Sequence, residues 1–180
     1  MVIILFVVKK IKKQGDIKMS VKKADRTQSS FEVISNAIYM RGQFDLLFIR
    51  NLGIKQQDCI LRPKYDIPIN DEENKQEFVL DFLLKEKSYL SNLVRNINQY
   101  VIMANSIYPN SIEEYSLRRE FQNRAISLCF ALTNELQYLL EVLNVNGNDY
   151  LNYYEMIKKE IVLIKGWRKS DNKFKKKIEA

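Results

Sequence analysis

The side chains that could do chemistry in this sequence are mostly basic. Arg118, Arg119 and Arg124 lie within one strongly periodic segment, and Arg168, Lys169, Lys173, Lys175, Lys176 and Lys177 crowd the C-terminus against only Asp171 and Glu179. Positive groups gathered this way suit contacts with phosphates, so these residues, apart from Arg118, are the candidate nucleic-acid-binding set. At about 100° per residue, Arg118 falls on the line of Phe121 and Ala125, whereas Arg119 and Arg124 lie on opposite flanks. Arg118 follows Glu114 by four residues, which predicts a structural ion pair between Glu114 and Arg118. The two flank arginines are left to meet a phosphate or a partner subunit.

Other chemistry finds little support. The chain has no histidine, which removes imidazole-based triads and His-ligated metal sites. There is no glycine-rich phosphate loop, no G-x-S-x-G and no paired CxxC, so no enzymatic activity is expected. Glu113, Glu114, Glu120, Glu135 and Glu141 lack the histidines of a di-iron bundle, and neither a metal nor a cofactor is expected. Cys129, beside Leu128 in an apolar stripe, reads as a small buried hydrophobe. Its distance from Cys59 suits a reducing cytoplasm better than a disulfide framework. Tyr138, Tyr150, Tyr153 and Tyr154 stand at helical spacing and read as core or interface residues before they read as base-stacking platforms.

The elements that must position these groups are helical. Only five glycines and three prolines interrupt 180 residues, while helix formers are abundant. A capping box at Ser29 and Glu32 starts a first helix over about residues 30–52, with Val33, Ala37, Met40, Phe44 and Leu47 on its apolar face. The segment from Ile54 to Asn70 contains Pro63 and Pro68 and reads as a long connection. Asn70 and the acidic residues after it open a second helix, which carries Phe78 and Phe82, then Leu90, Leu93, Ile97, Val101, Ala104 and Tyr108. Three charges over Lys85 to Ser88 predict a break in that helix.

Pro109 stops the second helix, and a second capping box, Ser111 with Glu114, starts the third. Its stripe is Phe121, Ala125, Leu128, Leu132, Leu136, Leu139 and Leu143. Asn146-Gly147-Asn148 turns the chain into a fourth helix, with Tyr150, Tyr154, Ile157, Ile161 and Ile164 on its apolar face, ending near Trp167. The expected architecture is all-α, an antiparallel up-down-up-down four-helix bundle over residues 29–168, followed by a basic C-terminal tail at 169–180. Residues 1–28 read as an extension outside the bundle. Its apolar run, MVIILFVV, is too short to span a bilayer, and its lysines follow that run where a secretory signal has them before it, so no membrane association is expected. Met19 is the expected translation start. Phe130, Tyr138 and Val142 lie beside the main stripe of the third helix and predict a homo-oligomer that covers them.

Several segments also resemble a known family. Asn105-Ser-Ile-Tyr108, Glu113-Glu-Tyr-Ser-Leu-Arg-Arg-Glu-Phe-Gln122, Ala125 and Gly166-Trp-Arg-Lys-Ser-Asp171 are similar to the four-helix accessory proteins encoded beside bacterial reverse transcriptases. These are the accessory variability determinants of diversity-generating retroelements, related to the four-helix proteins of ribosomal RNA intervening sequences. The resemblance covers about residues 87–174; between Ile54 and Leu84 this chain is longer and more acidic. It implies a homopentamer that presents a basic surface to RNA or DNA and binds the reverse transcriptase to support cDNA synthesis, with no activity of its own. The alternative expectation is a protein-protein scaffold whose lysines serve solubility.

Overall fold

The computed structural model describes residues 30–55, 60–65 and 72–179, and these are helical with no strand among them. Four long helices, α1 (Ser30–Ile49), α2 (Glu72–Ser106), α3 (Ile112–Val142) and α4 (Asn148–Ser170), are followed by the short α5 (Asn172–Ile178). Helix α1 packs on α2 and α4, and α3 packs on the same two, so each helix has two neighbours and the four share a central core. No described helix is long and apolar enough to cross a membrane. The capping residues Ser29 and Asn70, the 1–28 extension and Cys59 lie outside the described residues.

The apolar spacing of α1 translates directly into burial, with Val33, Ala37, Met40, Phe44 and Leu47 all inside. The helix ends in a left-handed turn, Asn51, Leu52 and Gly53 having φ of 51°, 57° and 77°. A leucine in that region costs roughly 1–2 kcal/mol. Two contacts hold it there: its side chain is fully buried, and its carbonyl accepts the Tyr150 hydroxyl at 2.8 Å. The connection to α2 then runs along the end of α3, where Arg62 N donates to Val142 O at 2.9 Å and Asn144 N to Ile60 O at 2.8 Å.

Helix α2 is continuous through Lys85 to Ser88, against the expected break. Helix hydrogen bonding absorbs the charges there: Lys85 sits off the apolar line and pairs with Asp81 at 2.6 Å, while Glu86 and Lys87 are half-buried along its edge and Lys87 reaches Asn51 Oδ1 at 2.6 Å. The buried residues of this turn are Val79 and Leu83, eleven and seven positions before Leu90. Phe78, expected inside, is 50 % exposed and Phe82 is half-buried. The correct line is shifted by one residue from the aromatic pair. Tyr108, expected on the later stripe, lies beyond the end of α2 and is exposed.

Helix α3 starts as its capping box predicts, with Ser111 Oγ accepting from Glu114 N at 3.3 Å and Glu114 Oε2 accepting from Asn110 N at 2.7 Å. Ala125, Cys129, Leu132, Leu136 and Leu139 form its buried line, while Phe121 and Leu128 are half-buried. Burial pushes the Cys129 thiol far up, which leaves it an inert apolar group. In α4, Tyr150 and Tyr153 are core residues, Tyr153 meeting Phe44 edge to face at 5.2 Å. Val142, expected to need a partner chain, is buried within its own chain, whereas Phe130 and Tyr138 remain exposed.

Candidate nucleic-acid interface

The first turns of α3, the last turns of α4 and α5 meet at one end of the bundle. Arg118 organises this end. It is only 7 % exposed, and its guanidinium grips Asp171 in bidentate fashion, Nε to Oδ2 at 2.7 Å and Nη2 to Oδ1 at 3.0 Å. Nη1 donates to the carbonyl of Ile107 beyond the end of α2, and Gln122 adds a third donor to Asp171 at 2.8 Å. The guanidinium also lies over the Trp167 ring at 4.8 Å and the Phe174 ring at 5.6 Å. One side chain thereby ties together the ends of α2, α4 and α5.

This geometry corrects the expected Glu114–Arg118 pair. Arg118 is buried and ion-paired, but its partner is Asp171, because Glu114 is exposed and its carboxylate already accepts from the backbone N–H of Asn110. A buried guanidinium gains most from a partner that matches its planar fork, and Asp171 supplies that match where a neighbour on the same helix surface does not.

The segment expected as a tail from residue 169 is helical through Ile178. Asp171 is 3 % exposed, Phe174 packs edge to face on Tyr108 at 5.2 Å, and Tyr115 donates its hydroxyl to Asn172 at 3.1 Å. The bundle therefore extends past residue 168, and the lysines of α5 are presented on a fixed element.

Above the buried pair, the structure brings two of the candidate residues together. Arg119 Nη1 donates to the backbone carbonyl of Arg168 at 2.7 Å, with its guanidinium over Tyr115 at 5.8 Å. Arg168 is half-buried, its Nε is enclosed without an acceptor, and no carboxylate neutralises either arginine among the described residues. Burial, and after it the charge of Arg119, holds the Arg168 guanidinium below its ordinary pKa. Two cations held this close form a local excess of positive potential at this end of the bundle. Lys169 follows on the exposed surface; on α5, Lys173 lies over Phe174 at 5.3 Å, Lys176 and Lys177 are exposed, and Lys175 is drawn to Glu179 at 3.6 Å.

Arg124 does not join this group. It points to the α2 flank, where it pairs with Glu120 and lies 5.7 Å from the centre of the Tyr100 ring. Its charge is already answered on that face. Sequence reasoning missed Asp171 as the organising carboxylate and Gln122 as its second holder, since neither has a local partner to betray it. No group of three or more potential metal-ligating His, Cys, Asp or Glu residues occurs among the described residues. Comparison of the chain with protein-family models, curated proteins and solved structures gives no match in any of the three.

Proposed function

We propose that this protein is a non-catalytic, nucleic-acid-binding accessory subunit of a reverse transcriptase, supporting cDNA synthesis in the cytoplasm without a cofactor. The observation that carries the nucleic-acid reading is the unneutralised Arg119 and Arg168 pair beside the lysines of α5. Phosphates of RNA or DNA are the anions such a surface suits, because several fixed cations at one end of a bundle contact successive backbone groups. The polymerase partner and the pentameric assembly rest on the resemblance around Glu113 to Gln122 and Gly166 to Asp171. Exposed Phe130 and Tyr138 support a covering partner copy.

The assembly unit in this reading is an antiparallel up-down-up-down bundle. Its support is the opposite run of the contacts: Asn36 in α1 bonds Glu160 in α4, while Phe44, further along α1, packs on Tyr153, earlier in α4. The short connection at residues 107–111 likewise suits a reversal between α2 and α3.

The test is binding of single-stranded RNA and DNA to the full chain over a range of salt. The double variant Arg119→Glu/Arg168→Glu is expected to bind more weakly, with the logarithmic salt slope reduced by roughly 0.7 for each phosphate no longer held. Unchanged affinity and slope in a folded variant would overturn the reading and favour the protein-protein scaffold. Co-purification of the tagged chain with a reverse transcriptase from its own cells tests the partner separately.

A further inference from the structure

Tyr108 carries the most exposed aromatic ring among the described residues, at 65 %. Helical spacing would place it on the apolar line of α2, but that helix ends at Ser106 and the ring is left outside the core. Its backbone is nevertheless held on both sides. The carbonyl of Ile107 accepts from Arg118 Nη1, the carbonyl of Tyr108 accepts from Asn110 Nδ2 at 3.2 Å, and Pro109, which is buried, has its φ fixed by its own ring. The tyrosine ring meets Phe174 edge to face, at 5.2 Å and 79°. Such a contact engages one face of a ring at most, so the other face of Tyr108 is free of Phe174.

The surroundings of this ring are cationic. Phe174 belongs to α5, where Lys173 Nζ lies 5.3 Å from the centre of the Phe174 ring. Lys177 follows Lys173 by four residues and Phe174 by three, which puts it on the same side of the helix. Both lysines are exposed, and the ion pair within α5 is made by Lys175 with Glu179 instead. On the α3 side the carboxylate of Glu114 is taken up by the backbone N–H of Asn110 at 2.7 Å. A fixed aromatic ring with free cations beside it is the combination that binds single strands, because every base has a flat face to stack and a phosphate attached. The bases of a duplex are stacked on one another and cannot reach such a ring unless they are extruded.

We infer that Tyr108 is a base-stacking platform for single-stranded nucleic acid, one unpaired base lying on its free face while Lys173 and Lys177 hold the adjoining phosphates. The inference rests on the nucleic-acid reading of this end of the bundle and narrows it to unpaired strands, through a contact that Arg119 and Arg168 do not make.

Binding of the full chain to oligothymidylate and to an abasic strand of the same length tests it. The parent is expected to hold oligothymidylate at least about fivefold more tightly than the abasic strand, as loss of one stacked base would predict. Tyr108→Leu is expected to abolish that advantage, Tyr108→Phe to keep it, and neither to alter binding of the abasic strand. Because no phosphate contact is lost, the logarithmic salt slope of Tyr108→Leu is expected to match that of the parent. Thermal midpoints of the two variants establish that each is folded. Tyr108→Leu binding oligothymidylate as the parent does, losing affinity for both strands alike, or flattening the salt slope overturns the stacking role. A parent that binds both strands equally, with a salt slope that Arg119→Glu/Arg168→Glu reduces, refutes the platform and leaves the proposed function standing. A parent that binds neither strand overturns both.

Discussion

Among the described residues two carboxylates, Asp171 and Glu160, are fully sunk into the bundle, and their surroundings are opposite. Asp171 receives three hydrogen bonds, two from the Arg118 guanidinium and one from Gln122. Glu160 is 0 % exposed and receives one, from Asn36 Nδ2 at 2.7 Å, with its second oxygen buried and without a partner. Burial accordingly pushes the Glu160 carboxyl up to about 7, only partly countered by Asn36 and Lys159. The difference shows that burial alone does not decide what a charge does in a core. A matched cation turns Asp171 into a tie between helices, while the lack of one leaves Glu160 favouring its neutral form.

Breaking the satisfied site should have the larger effect. Arg118→Ala leaves Asp171 and Gln122 without their cation and frees the Ile107 carbonyl, so a loss of about 3–5 kcal/mol is expected in denaturant unfolding. The same variant should also loosen α5, because Phe174 loses the guanidinium beneath it. Gentle proteolysis after residue 170 that becomes faster than in the parent would support this, and an unchanged midpoint would contradict the organising role given to Arg118.

Glu160 predicts a smaller, pH-dependent effect. Its native pKa is raised from 4.5 to about 7, so between those values the native chain holds a proton that the unfolded chain has released. The contribution of this group is therefore full below about pH 4.5, falls as pH rises, and reaches its minimum above about 7. The swing is roughly 3 kcal/mol at most, at about 1.4 kcal/mol per pKa unit. Glu160→Gln should remove that part of the slope and stabilise the protein at pH 8. Glu86, raised to about 7 by burial and by neighbouring Glu135, titrates over the same range in both proteins, so the readout is the difference between them. Identical stability profiles would mean that Glu160 has more solvation or a better partner than its geometry indicates.

The smallest effect concerns the exposed flank. Arg124→Gln removes a surface pair with Glu120 and an exposed contact with the Tyr100 ring, and a change within about 0.5 kcal/mol is expected. It should also alter single-strand binding less than Arg119→Glu does, since Arg124 lies away from the Arg168 cluster. A greater loss of binding from Arg124→Gln would move the interface to the α2 flank.

The sequence was most informative where a single helix face carries the answer. Val33, Ala37, Met40, Phe44 and Leu47 were legible as core because their spacing alone puts them on one side, and Ser111 with Glu114 was legible as a cap because both partners lie within one turn. Phe78 misled because an aromatic pair four residues apart resembles a buried stripe, whereas continuity with Leu90 selects Val79 and Leu83. Lys85 to Ser88 misled because three charges in a row resemble a breaker, although a helix disperses them over most of its circumference.

From local pattern alone the chain determined its helices, its turns and the concentration of positive charge toward its C-terminus. Tertiary structure decided which charges are answered. Arg118 meets Asp171 across 53 residues and Asn36 meets Glu160 across 124, contacts that no helical period encodes. The same packing left Arg119 and Arg168 side by side without a carboxylate partner among the described residues, since the pairing of polar groups depends on which helix ends meet, and that is set by the whole core rather than by any one of its faces.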